Sequence, residues 1–364
     1  MIKIICMLTE QQNNRKLRTA CLGLGRAMPQ LLELAHAAGL YEIVSVSDSD
    51  LAAAEKIARQ FNCTAFDDYR QFILQNNIEL LIVAEPLYKC VEHVRAAISK
   101  KCHILKLAPT ASNFEQATEL VNLAQKNKVK YVTANPSKFA PGFERLADYL
   151  KTIDIKQYYF VNICASFGSD FFQPIISDSL ADPKLSGGGV LINDCFELLS
   201  LVVSNFFLPQ QIYALLTNKG FNKKAKQYFG EDAVTASLVF REGLIGTFLA
   251  AQQTGTGSAA PIRIYGAENN IVVTPNRLAV YDNAGALIDE HKYPLKPEKC
   301  ITEMFIDTGR AILEPDKYKL RTSSRLDLGT MAMIEAAYLS AKTGMPEALR
   351  KIFEMSEKEK FSFI

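Results

Sequence analysis

The chain has 364 residues, enough for two domains that each bury their own core. Apolar residues make up 48% and charged residues 22%, and 41 Lys plus Arg stand against 39 Asp plus Glu for a net charge of +2. That balance gives no general attraction for nucleic acid or anionic lipid, and no apolar run approaches the roughly 18 residues of a membrane span, so neither partner is expected.

Residues 1–17 open with the short apolar run Met1–Leu8, which has no small-residue cleavage site behind it and reads as an irregular lead-in. A buried strand at 18–22 follows, then Gly23-Leu24-Gly25-Arg26-Ala27-Met28 and a helix to about residue 38. Strands at 42–47, 79–84, 103–107 and 130–134 alternate with helices at 51–60, 89–99 and 113–125. Such alternation predicts a parallel sheet covered on both faces.

Beyond residue 150 the pattern changes. Strand-like runs at 157–166, 211–217, 233–240, 244–251, 261–265, 270–273, 277–281 and 287–293 succeed one another, some through turns such as Glu242-Gly243 and Asn283-Ala284-Gly285. One helix, 190 to about 205, interrupts them; helices at 303–313 and 327–342 follow, ahead of a charged tail bearing Glu354, Glu357, Lys358, Glu359 and Lys360. The expected fold class is α/β plus α+β: an N-terminal Rossmann dinucleotide-binding domain (18–135), then an open, mostly antiparallel sheet with helices on one face (136–326), and a C-terminal helix and tail (327–364).

Eight scattered cysteines without a CxxC pair fit buried thiols in a reducing cytoplasm. None of the four histidines has metal-ligand spacing to another His or Cys, so no metal is expected. In the glycine motif, Gly23 permits a tight turn, Gly25 lets backbone approach a pyrophosphate, and Arg26 lies beside it. Asp48, at the end of the second strand, is placed to bind a ribose hydroxyl pair, and with no Arg after it NAD is favoured over NADP. Met28 departs from the small residue that the third motif position usually holds.

The order of these motifs resembles the Gfo/Idh/MocA family, named for glucose–fructose oxidoreductase, inositol dehydrogenase and a rhizopine-catabolism protein. The resemblance runs from about Arg18 to Gly344. Besides the glycine turn and Asp48, it rests on Leu81-Ile82-Val83-Ala84-Glu85-Pro86, Asn135-Pro136-Ser137-Lys138-Phe139, Asp182-Pro183 before Gly187-Gly188-Gly189, and the closing Ile334–Gly344 segment. It implies that Pro86 and Lys138 border the cofactor cleft. It also implies pairing of subunits through the open sheet face, giving a homodimer or homotetramer.

The family's ionisable positions are substituted here. Glu-Lys-Pro reads Leu107-Ala108-Pro109, the Asp and His after the triple glycine read Asn193 and Glu197, the intervening glycine is Cys195, and the His after the strand proline is Cys90. Interconversion of alcohol and carbonyl needs a group that moves the hydroxyl proton. Glu197, in an apolar helix one turn after Asn193, is the first candidate, and Asp194 could pair with it. Lys106, on the same side of its strand as Ala108, is another, although a lysine there also serves as a plain strand-end surface group. The resemblance therefore implies an NAD(P)-dependent oxidoreductase acting on a small sugar, polyol or related hydroxy compound with non-standard acid/base groups. An elimination or isomerisation enzyme on the same fold, and a catalytically silent dinucleotide- or metabolite-binding sensor or partner subunit, stay open beside it.

Overall fold

The computed structural model describes residues 15–25, 27–75, 77–167, 183–219, 230–252 and 261–355. Arg26, Phe171, Phe172, Asp182 and the tail residues 357–360 lie outside them.

The first sheet contains β1 (Leu17–Leu22), β2 (Tyr41–Ser47), β3 (Thr64–Phe66), β4 (Leu80–Val83), β5 (His103–Leu107) and β6 (Tyr131–Ala134). All pair in parallel, in the order β3-β2-β1-β4-β5-β6. β4 and β6 are buried at every residue, as strands covered on both faces must be. The connecting helices are α1 (Met28–Ala37), α2 (Leu51–Phe61), α3 (Tyr69–Gln75), α4 (Leu87–Ser99) and α5 (Phe114–Lys126). Asp50 caps α2 by accepting from Ala52 and Ala53 N–H, and Asn113 caps α5 by accepting from Gln116 N–H. The strand order reverses between β1 and β4, which opens a crevice at their carboxyl ends.

A single 3₁₀ turn (Pro136–Phe139) and α6 (Pro141–Lys151) lead into the second sheet. Its strands are β7 (Tyr158–Phe167), β8 (Gln211–Thr217), β9 (Ala233–Val239), β10 (Ile245–Gln252), β11 (Ile262–Gly266), β12 (Asn269–Thr274), β13 (Arg277–Asp282), β14 (Leu287–Lys292) and the two-residue β15 (Glu347–Ala348). They lie in the order β14-β13-β12-β11-β7-β10-β9-β8-β15, and only β7 with β10 is parallel. Burial alternates along β8, β9 and β10, so one face meets helices and the other is open. The covering helices include α6, packed on β12 and β13, and α9 (Ser324–Thr343), packed on β8; α7 (Phe196–Phe206) packs on α9, and α8 (Pro297–Leu313) and α10 (Leu349–Met355) follow in the chain. α9 packs against β8 of the second sheet and against β6 and α5 of the first, so it joins the two.

Three features depart from the sequence reading. The helix expected from 190 to 205 is broken: a single turn, Val190–Asn193, closes with Asp194 and Cys195 N–H both directed at the Val190 carbonyl, and α7 starts afresh at Phe196. α6, α3, β3 and β15 lie in stretches where no element was expected, and α10 occupies the start of the charged tail. Met28 is fully buried as the first residue of α1, so the large side chain at the third motif position joins the core.

Candidate functional site

At the β1–α1 turn Gly23 has φ +87°, and a Cβ there would lie 2.6 Å from Glu85 N, so glycine is required on both conformational and steric grounds. Gly23 N–H donates to Ser47 O at 2.8 Å, tying the turn to the end of β2. Asp48 leaves the same strand end; its Oδ2 accepts from Leu24 N–H at 2.6 Å and its Oδ1 from Asp50 N–H at 2.9 Å. Gly25 O accepts from Met28 N–H, and Ala27 at the N-cap supplies no side-chain acceptor, so the first turn of α1 faces the crevice uncapped. A carboxylate beside a glycine turn and an uncapped helix start fit the ribose and pyrophosphate of a dinucleotide.

Pro86 follows as the N-cap of α4, and Glu85 before it forms an ion pair with Lys89 at 2.8 Å. Cys90 is buried, its thiol directed at the Glu85 and Pro86 carbonyls, and burial raises it to about 12, so it remains a protonated thiol. Lys106 is not a surface group. It is 5% exposed, and its Nζ donates to the Leu107 carbonyl at 2.6 Å. Burial lowers its pKa to about 8, partly offset by Cys90 and Glu85 nearby. The Ala108–Pro109 peptide beyond it is cis.

The triple-glycine turn reaches this edge of the sheet. A Cβ on Gly187 would fall 2.0 Å from Ser112 O, in the loop after β5; one on Gly188 would meet the Tyr338 ring, and one on Gly189 the Glu231 backbone. Glu231 holds the turn: Oε2 accepts from Gly189 N–H at 2.8 Å, Oε1 from Leu191 N–H at 2.9 Å and from Tyr338 OH at 2.8 Å, and its carbonyl accepts from Val190 N–H. Asn193 does not face the cleft as a free group. Its Nδ2 donates to Gly188 O at 2.9 Å and Gly189 O at 3.1 Å.

Glu197 lies on the first turn of α7. Its Oε2 accepts from Ser137 Oγ–H at 2.5 Å and Ser137 N–H at 3.2 Å, while its own carbonyl accepts from Asn135 Nδ2. Burial raises the carboxyl to about 7 against the pull of the Ser137 bonds and of Lys138. Asn193 and Glu197 therefore turn to different partners. The expected Asp194–Glu197 pair is also absent: Asp194 Oδ2 accepts from Gln252, and burial, with Glu231 nearby, raises it to about 6. Lys138 does not extend into the cleft either; it is 8% exposed, enclosed beside Asp327 of α9.

Gly23, Asp48 and Pro86 thus stand together along one crevice, Glu197 lies beside the turn that follows β6, and Arg26 is outside the described residues. Ser137, Glu231, Tyr338 and Asp327 were not singled out from the sequence. Ser137 and Tyr338 sit inside motifs that were noticed, but nothing near Glu231 marks it. Among the described residues no group of three His, Cys, Asp or Glu could hold a metal, and no helix is long and apolar enough to cross a membrane.

A reversed-order parallel sheet with this turn and acid, followed by an open sheet, defines a dinucleotide-binding domain joined to a second α+β domain. Residues 17–135 match a family model described as an oxidoreductase family with an NAD-binding Rossmann fold, GFO_IDH_MocA. The chain is 26% identical over 245 residues to D-glucoside 3-dehydrogenase of Escherichia coli, and 23% identical over 206 residues to D-xylose 1-dehydrogenase (NADP(+)) 2 of Haloferax volcanii. These matches cover 64% and 56% of the chain and span 66% and 59% of the two relatives, less than two thirds of either. The fold as a whole is that of a solved levoglucosan dehydrogenase in complex with NADH and levoglucosan, with TM-score 0.81, 16% identity, and coverage of 92% of this chain and 100% of that one. The WlbA dehydrogenase from Bordetella pertussis, in complex with NADH and UDP-GlcNAcA, shares it with TM-score 0.76, 15% identity and coverage of 92% and 99%.

Proposed function

We propose that this protein is an NAD-dependent oxidoreductase that interconverts an alcohol and a carbonyl on a small sugar, polyol or related hydroxy compound. The observation that carries the reading is the place of Glu197: a carboxyl enclosed at the carboxyl end of β6, bonded twice to Ser137, on the same edge of the sheet as Gly23 and Asp48. The named activities of the relatives, on glucoside, xylose and levoglucosan, support the substrate class.

Bound NAD would accept the hydride from the carbinol carbon. Gly23, Gly25, Arg26, Asp48 and Pro86 would hold it, with Asp48 exchanging its bond to Leu24 N–H for the ribose hydroxyls. Glu197 would take the hydroxyl proton of that carbinol, directly or across the Ser137 hydroxyl, so that a carbonyl is left. Asn193 shapes the turn beside this carboxyl. Lys106, on β5, supplies positive charge where the family's Lys has become Ala108. The open sheet face, on which Tyr213, Leu215, Val239, Ile245 and Leu249 are exposed, pairs two copies into a homo-oligomer. The seven described cysteines are all free and five of them buried, in keeping with a cytoplasmic protein.

Calorimetric titration of the stripped protein with NAD, NADH, NADP and NADPH tests the cofactor. NAD or NADH is expected to bind most tightly, and no heat from any of the four at about millimolar concentration would end the oxidoreductase reading. A turnover screen of sugars and polyols follows, in which Glu197→Gln is expected to be inactive while binding cofactor normally.

A further inference from the structure

Behind Glu197 the interior holds polar atoms that the protein does not satisfy. Lys138 Nζ, Asp327 Oδ1 and Asn135 Oδ1 are each buried without a hydrogen-bond partner among the described residues. They come from the 3₁₀ turn, the first turn of α9 and the residue that follows β6, and Lys138 links them, by charge to Asp327 and by a backbone bond to Asn135. Lys138 N–H donates to the Asn135 carbonyl, Asn135 Nδ2 reaches the Glu197 carbonyl, and the charges of Asp327, Asp307 and Glu197 act on the Lys138 ammonium. Asp327 is fully buried, and its other oxygen, Oδ2, accepts from Thr133 N–H at 3.3 Å.

An ammonium and a carboxylate enclosed together, electrostatically coupled but without a direct bond, are costly unless something joins them. One donor-rich cation and two acceptor oxygens suit a water, which forms about three hydrogen bonds in such sites. We infer that Lys138 Nζ, Asp327 Oδ1 and Asn135 Oδ1 hold one internal water, and that through it Lys138 and Asp327 act as positioning residues that govern the proton on Glu197. The inference deepens the reading above, on which Glu197 is the proton carrier.

The charges explain the arrangement. When Glu197 is ionised, the carboxyl groups of Asp327, Asp307 and Glu197 all act on Lys138; when Glu197 takes a proton, Asp327 and Asp307 balance the ammonium. Asp307 on α8 acts on the same lysine second to Asp327, with its own partner in Arg321 N–H, and Tyr131 of β6 faces Asp327 as a neutral phenol. Without Asp327 more of the ammonium's charge would act on Glu197, favouring its carboxylate and lowering the pH at which it takes a proton.

Two measurements on the full chain, without substrate or cofactor, test this. A high-resolution crystal structure should show one ordered water within hydrogen-bond distance of all three atoms; Lys138 bonded directly to Asp327 with no density between them would overturn it. Infrared titration of the protonated carboxyl band, assigned to Glu197 by its loss in Glu197→Gln, should give a midpoint lowered by about one pH unit or more in Asp327→Asn and raised similarly in Lys138→Met. An unmoved midpoint in both variants would also overturn it. The crystal structure needs no variant, so a variant that fails to fold leaves the inference exposed to refutation. Since neither readout involves turnover, an inactive protein with the water and both shifts would refute the oxidoreductase reading alone. An active protein without them would leave Glu197 working through Ser137 only.

Discussion

Two glycine turns at the same edge of the sheet are tight for different ends. At Gly23 the backbone passes close to Glu85, yet the helix start beyond it is left uncapped by any side chain and Asp48 is half-exposed beside it. At Gly187–Gly189 the approach is just as close, but the N–H groups of residues 189, 190 and 191 all terminate on Glu231, and the carbonyls of 188 and 189 on Asn193. The first turn keeps polar groups available to a ligand; the second satisfies its own. An amide at Asn193 belongs to that second design, because a carboxylate could not donate to two carbonyl oxygens.

The contrast can be broken most forcefully at Glu231. Glu231→Ala removes the acceptor of two buried N–H groups and a phenol, and should cost about 4 kcal/mol in urea unfolding while leaving NAD affinity unchanged. Next comes Glu197, whose folded pKa near 7 exceeds its unfolded one. Between about pH 4.5 and 7 the folded state therefore binds more protons than the unfolded chain, and stability falls as pH rises through that window. Glu197→Gln should remove this fall, so that unfolding curves coincide with the parent at acid pH and gain about 3 kcal/mol at pH 8. Asn193→Asp places a carboxylate against two carbonyls and should lose about 2 kcal/mol at neutral pH, with recovery on acidification as the new acid regains a donor. Tyr338→Phe deletes one bond to Glu231 and should cost about 1 kcal/mol in thermal unfolding.

The fold was legible because its evidence is periodic. Doubly buried strands such as Leu80–Val83 read as unbroken apolar runs, and the second sheet showed alternation between turn signals. The helix at Pro141–Lys151 was missed although Pro141 marks a helix start. The break at Asp194–Cys195 was hidden because apolar residues continue across it on all sides, and no period fails there. The pairing of the glycine turn with Asp48 was readable since both lie within one β-α-β unit. The partners of Glu197 were not, because Ser137 is 60 residues distant and Asp327 reaches Thr133 across 194. Lys106 was misjudged for a related reason: a strand position does not reveal whether α4 covers it.

The long span between Thr133 and Asp327 bears on how the molecule is made. A nascent chain completes β6 well before residue 327 leaves the ribosome, so the Thr133 amide waits through the synthesis of β7 to β14 for its acceptor. The same helix brings the Ser340 hydroxyl, which accepts from Ala214 N–H on β8. One late segment thus seals both sheets, and the two halves of the protein mature together rather than in turn.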